Sequence, residues 1–152
     1  MSKYVKLLNE SLEYLKNNPR GFGEPTPDAD NTSTCAYIND EGNRCLVGRL
    51  LPKRVCKDLE KKFPQMISVI GFYESNFALS RKGLTRETYD RIYKFTQDYN
   101  REFMRRLQCF HDSDRNWVDG DKRDLPINTL SVNGKEIFGN LMLLARKLDS
   151  QG

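Results

Sequence analysis

A chain of 152 residues is long enough for a single domain that buries about two-thirds of its unfolded surface without disulfides or metal. Its 38% hydrophobic content and mean hydropathy of −0.72 predict a compact body carrying exposed loops, not a large enzyme core. The net charge of +4, from 25 basic and 21 acidic residues, is too mild to make nucleic acid the expected partner. Neither an export-type apolar leader nor a span of roughly 20 apolar residues is read, so the expected setting is the bacterial cytosol, with no membrane partner. Four cysteines at irregular spacing then read as reduced thiols.

In chain order, Tyr4, Val5, Leu8, Leu12 and Leu15 recur at spacings of three and four, predicting an amphipathic helix over 3–17 with Ser2 as its cap and Pro19 as its stop. From Pro19 to Thr34 the composition shifts to Gly, Pro, Asp and Thr, which reads as a mobile acidic flap anchored by Phe22. Between Glu24 and Glu41 there are five acids and no Lys or Arg.

The segment Cys35–Pro52 is where turn chemistry, cysteines and an uncharged apolar run coincide. Asn39-Asp40-Glu41-Gly42 is a turn signal, because Asn and Asp bond their own backbone and Gly accepts positive φ. The expected structure is a short hairpin in which strand Cys35–Ile38 folds back on Arg44–Val47. Asn43 is placed to cap a helical turn near Cys45, and Pro52 to open a helix to Phe63 with Val55, Cys56, Leu59 and Phe63 inward. The outer surface here is basic, with seven Lys and Arg between Arg44 and Lys62 against Asp58 and Glu60.

Residues 66–80 read as strand or helix, with β-branched and aromatic content leaning to strand. Thr85 is placed to cap a long helix to Phe110, carrying Tyr89, Ile92, Tyr93, Thr96, Tyr99, Phe103, Leu107 and Phe110, with a break possible at 98–100. Residues 112–134 are polar, irregular, and a second mobile loop by expectation. The stripe at 137, 138, 141, 142, 144, 145 and 148 predicts a core helix over 135–148. The fold class expected is α+β, mainly α-helical, with a short β-hairpin packed on four or five helices in one domain spanning 1–152.

Three constellations carry chemistry. Cys45 at a helix start, with His111 and Asp112, is the arrangement of a Cys–His enzyme acting on a small substrate; the plain alternative is a core thiol and a helix-capping His. Cys35, Cys45, Cys109 and His111 offer zinc a sulfur-rich set, but their spacing lacks the usual paired ligands, so no metal and no cofactor is expected. Asp112–Asn116 opens like a calcium loop and then fails, with Trp117 at the glycine position and Arg123 at that of the bidentate acid. The third constellation is the basic run with Arg101, Arg105 and Arg106, a candidate anion site in which Arg44 and Arg49 flank the Cys45 turn and Tyr89, Tyr93 and Tyr99 are potential base-stacking partners.

Cys35-Ala36-Tyr37, then Gly42-Asn43-Arg44-Cys45-Leu46-Val47-Gly48-Arg49-Leu50-Leu51-Pro52, then Leu107-Gln108 followed by His111-Asp112, resemble a family of small bacterial and phage proteins without an assigned activity. That family carries Cys-x-Tyr, Gly-x-x-Cys-Ala-Val-Gly-x-Leu-Ile-Pro and Leu-Gln-x-x-His-Asp segments in the same order. The resemblance covers about two dozen residues and implies a shared core in which Tyr37, Cys45, Gln108, His111 and Asp112 meet. Leu46 replaces the family's small Ala, and Arg49 stands where a small residue or Cys is common.

The sequence thus predicts a non-catalytic phage or bacterial accessory protein. It is expected to bind a bacterial host protein, as in a counter-defence role, or to sequester an anionic, nucleotide-like small molecule. Its ligand-binding residues would be Tyr37, Arg44, Arg49, Gln108, His111 and Asp112, and homo-oligomers are compatible with the reading. The rivals are the Cys45–His111–Asp112 enzyme and a pocketless inhibitor that docks by surface complementarity.

Overall fold

The computed structural model describes residues 2–25, 33–62, 69–74, 83–122 and 128–152. Among these, six α-helices carry the architecture: α1 (Lys3–Asn17), α2 (Leu46–Arg49), α3 (Lys53–Lys62), α4 (Arg86–Asp98), α5 (Arg101–Asp112) and α6 (Val132–Gln151). The protein is a helical bundle, and the expected α+β class is corrected accordingly. Among the described residues the one extended pairing outside an isolated bridge is a two-stranded ribbon of Phe22–Pro25 against Ser33–Cys35, too short to form a layer.

The Cys35–Ile38 to Arg44–Val47 hairpin does not form, although the predicted reversal does. Gly42 has φ +83°, and the Asn39 side chain accepts from the N–H groups of Glu41 (3.1 Å) and Asn43 (2.9 Å). Across the reversal Asn39 N–H meets the Asn43 carbonyl at 2.9 Å and Cys45 N–H meets the Ala36 carbonyl at 3.1 Å, and the chain then coils. The reason is burial: Cys45, Leu46, Val47 and Gly48 are all inside, whereas the strand of a hairpin laid on the surface of the helices would turn every second side chain outward. Cys45 itself, not Asn43, caps α2, its Sγ accepting from Gly48 N–H at 3.3 Å. Gly48 is required for a different reason, since a Cβ there would lie 2.0 Å from the Tyr37 carbonyl oxygen.

Helix α1 runs over the predicted residues, but Ser2 makes no side-chain cap. The last helix supplies it instead, Asp149 accepting from Tyr4 N–H at 2.9 Å and Val5 N–H at 3.0 Å. At the other end Asn128 closes α1, its Nδ2 donating to the carbonyls of Leu15 (2.9 Å) and Asn18 (2.8 Å). Both ends of the first helix are therefore tied to the last quarter of the chain. The two ends of the expected 19–34 flap are held by the ribbon; residues 26–32 lie outside the described residues.

In α3, Val55, Cys56 and Leu59 are buried as expected, and Asp58 caps the next helix by accepting from Thr85 N–H (2.8 Å) and Thr88 Oγ1 (2.7 Å). Residues Val69–Tyr73 form a 3-10 helix and not the favoured strand, because three residues per turn set Val69 and Phe72 on one buried side. Residues 63–68 and 75–82, which include the predicted Phe63, lie outside the described residues.

The long helix predicted from Thr85 is two helices. Two tyrosines hold the break open: Tyr4 Oη accepts from Asn100 N–H at 2.7 Å, and Tyr73 Oη donates to the Tyr99 carbonyl at 2.9 Å. Asn100 then caps α5 by accepting from Phe103 N–H at 2.9 Å. Helix α6 is longer than predicted, capped by Ser131, and is less of a core helix than its stripe implied. Only Gly134, Leu141 and Ala145 are buried in it. It packs on α1 and on α5, while α2 meets α5 and α3 meets α4 around one contiguous hydrophobic cluster.

Candidate functional site

Of the five residues that the resemblance implies meet, Tyr37, Cys45, Gln108, His111 and Asp112, only the last three form one network, and all three belong to α5. Near the end of α5, Gln108 Nε2 donates to Asp112 Oδ1 at 2.8 Å, and His111 Nδ1 lies 2.7 Å from the same oxygen. This places Gln108, His111 and Asp112 in one network. His111 is fully buried, and its ring stacks on Phe22 at 5.6 Å, the anchoring role expected of that phenylalanine. Tyr37 is buried elsewhere, stacked on Phe72 at 5.5 Å, with its backbone N–H donating to Glu60 at 2.8 Å.

Cys45 is likewise sealed from solvent. Its neighbour Cys56 donates to the Gly48 carbonyl at 3.3 Å, and burial pushes the Cys56 thiol up to about 12. Arg44 Nη1 donates to the Leu51 carbonyl at 3.2 Å. Arg49 leans back on α1, donating to Ser11 Oγ at 3.0 Å over the Tyr14 ring at 5.7 Å, and its burial lowers its pKa. Tyr37, the Gln108–His111–Asp112 network and the arginines thus occupy three places and do not line one described pocket. Cys109 and His111 point apart, one exposed and one buried, and no described cluster of three or more His, Cys, Asp or Glu is placed to hold a metal.

The residue that sequence reasoning missed is Arg20. It is fully buried between the Phe22 and Trp117 rings, at 5.3 and 5.8 Å from their centres. Its guanidinium donates to the His111 carbonyl at 3.1 Å, to Asp114 Oδ1 at 2.9 Å and to the Gly120 carbonyl. One cation therefore joins the exit of α1, the end of α5 and the following loop. Nothing in Pro19-Arg20-Gly21 signals this, since the partners lie more than ninety residues away. Asn116 extends the polar interior, donating to the Phe110 carbonyl at 2.9 Å and accepting from Asn133 of α6 at 2.7 Å.

The opposite side of α5 is different. There α5 and α6 bound an open groove of about 860 Å³. Its apolar floor comes from Phe110, Ile137, Leu141 and Leu144, with Leu143 at the edge and 65% exposed. Arg106, Arg115 and Lys147 stand around it, and no Asp or Glu is among its described lining residues. On α5, Glu102 already accepts from Arg105 (2.7 Å) and Arg106 (3.2 Å), and chiefly the Arg105 hydrogen bond holds its carboxyl down at about 2, while Asp112 is engaged with Gln108 and His111. Exposed Cys109 opens into this groove.

A second groove, of about 630 Å³, contains two of the tyrosines singled out for stacking, Tyr89 and Tyr93, together with Phe72 and Tyr73. Its charges are mixed, with Arg86 bound to Asp90 at 3.2 Å. No protein-family model, no curated protein and no solved structure matches this chain. No helix among the described residues is long and apolar enough to cross a membrane.

Proposed function

We propose that this chain is a non-catalytic binding protein whose working surface is the α5–α6 groove, and that its partner is anionic. The observation that supports this reading is the pairing of an uncovered apolar floor with Arg106, Arg115 and Lys147 and with no described acid in the lining. Apolar surface left open and rimmed by charge of one sign is the pattern of a recognition site. Arg44 and Arg49, the arginines favoured from sequence, are both engaged by the fold, so the anion-binding role passes to the groove.

The Cys–His enzyme is the weaker reading. A nucleophile and its base have to touch substrate, and both Cys45 and His111 are at zero exposure. His111 is instead oriented by Asp112 and covered by Phe22, the surroundings of a structural imidazole.

The reading is tested with the double variant Arg115→Glu/Lys147→Glu, using fluorescence anisotropy with two labelled polyanions, an acidic amphipathic peptide and an oligo-dT strand. At least one probe is expected to bind the native protein, and the variant to weaken that binding roughly tenfold or more. Failure of both probes, or binding that the variant leaves unchanged, overturns the proposal.

A further inference from the structure

Building on the groove reading, we infer that the occupant of the groove is an acidic amphipathic helix of a partner protein. Its geometry is that of a helix seat. Ile137, Leu141 and Leu144 lie four and three residues apart on α6, with Leu141 and Phe110 of α5 buried beneath and Leu143 exposed at the edge, so the apolar stripe runs along α6. A ligand helix presents its own apolar residues at the same spacings, which is how helix-in-groove recognition works. The lining on α6 extends from Asn133 to Lys147, about 21 Å at 1.5 Å per residue, the length of a helix of some four turns.

Charge selects the kind of helix. Arg115 lies beside Asn116, which bonds Asn133 at one end of that span, and Lys147 marks the other end, with Arg106 on the facing helix. A ligand carrying Asp or Glu on the flanks of its apolar stripe would meet a cation at both ends. Among the described lining residues none would repel it.

The same facts weigh against the other occupants. A second copy docked symmetrically would set Arg106, Arg115 and Lys147 against their own kind over the same patch. Base stacking by a nucleic-acid strand or nucleotide needs an exposed aromatic face, and the one aromatic among the groove's described lining residues, Phe110, is 1% exposed. The Tyr89 and Tyr93 groove has the rings but offers Asp90 and Glu74 beside Arg86, so it lacks the matching charge.

Cys109 makes the groove directly readable, because its thiol opens there while Cys45 and Cys56 are buried. The probe is a helical peptide with Leu at heptad-like spacing and Glu on the flanks, compared with the same peptide carrying Lys for Glu and with an oligo-dT strand. The Glu peptide is expected to bind and to slow iodoacetamide alkylation of Cys109 roughly tenfold near saturation, with affinity falling as salt rises. The Lys peptide is expected to do neither. Leu143→Asp changes an exposed edge residue and Lys147→Glu an exposed cation, so both should fold normally while each weakens peptide binding roughly tenfold.

Protection of Cys109 by oligo-dT but not by the Glu peptide overturns this inference and leaves the anionic-groove reading standing. Failure of both probes at about 1 mM overturns the two together. Equal binding of the Glu and Lys peptides also overturns it, since charge would then select nothing.

Discussion

Within six residues of α5, Gln108 and His111 face inward while Arg106 and Cys109 face outward, and the two sides treat polar groups in opposite ways. On the inner side polar groups are tied to one another: His111 and Gln108 to Asp112, Arg20 to Asp114 and two carbonyls, Asn116 to Phe110 and Asn133. Phe22 and Trp117 cover the buried part of this network, while Asp112 and Asp114 reach its edge, 41% and 37% exposed. On the outer side the cations surround an apolar floor that no described element covers. A buried polar cluster serves the fold, because opening it would strand desolvated groups; an exposed cluster of one charge over apolar surface has its complement elsewhere. The functional argument therefore follows the outer side, even though the more distinctive residues lie on the inner one.

The sharpest separation between the sides should be seen in thiol chemistry. Cys109 is expected to alkylate in the native protein, whereas Cys45 and Cys56 react only when the core opens, so peptide mapping should find rates differing by about a thousandfold or more. Rapid native alkylation of Cys45 would restore the enzyme reading.

Next in size is Arg20→Met, which leaves Asp114 and the carbonyls of His111 and Gly120 without their donor. A loss of about 3 kcal/mol is expected in urea unfolding. A loss below about 0.5 kcal/mol would show that the interior network is no structural hub.

A polar contact at the surface should matter less. For Asp149, desolvation acts to raise the pKa, but hydrogen bonds from the Tyr4 and Val5 N–H groups outweigh it and hold the carboxyl below its ordinary value. A depressed folded-state pKa means stability that is present above the unfolded value of about 3.9 and lost as the pH falls through the folded value. Asp149→Asn is expected to melt about 2 °C lower at neutral pH, with the gap closing in acid. A gap independent of pH would assign the effect to something other than the cap's charge.

The smallest effect on stability is expected from Arg115→Glu/Lys147→Glu, within about 0.5 kcal/mol of the native protein while anionic probes are lost. Destabilisation matching Arg20→Met would erase the distinction between the two sides.

Local chemistry made much of the chain legible. The period of Tyr4, Leu8, Leu12 and Leu15 is a property of neighbouring residues, and so are the Asn39–Gly42 turn and the Thr85 cap, which accepts from Thr88 N–H. The strand reading of Cys35–Ile38 and Arg44–Val47 failed because a short apolar run has the same composition whether it is buried on both sides of a strand or in one helical turn. The break at Tyr99–Asn100 was legible only as a weakness in propensity; the Tyr4 and Tyr73 hydroxyls that use it come from distant segments. Of the candidate residues, His111 beside Asp112 was readable from the sequence, and Gln108 joined them through the resemblance; these three meet because they share one helix, whereas Tyr37 and Cys45 do not join them.

From its own order of residues the chain determines a mainly helical protein, the Asn39–Gly42 turn, the Thr85 cap, and a modest excess of positive charge. These depend on interactions among residues a few positions apart, which any isolated segment carries with it. Which polar groups are buried and which are left for a partner was decided by the tertiary structure alone. Arg20 and Arg115 are alike in sequence, each in a polar loop beside the end of a helix. Packing encloses the first with Asp114 and two carbonyls and leaves the second at the rim of an uncovered groove, and desolvation makes that difference one of function.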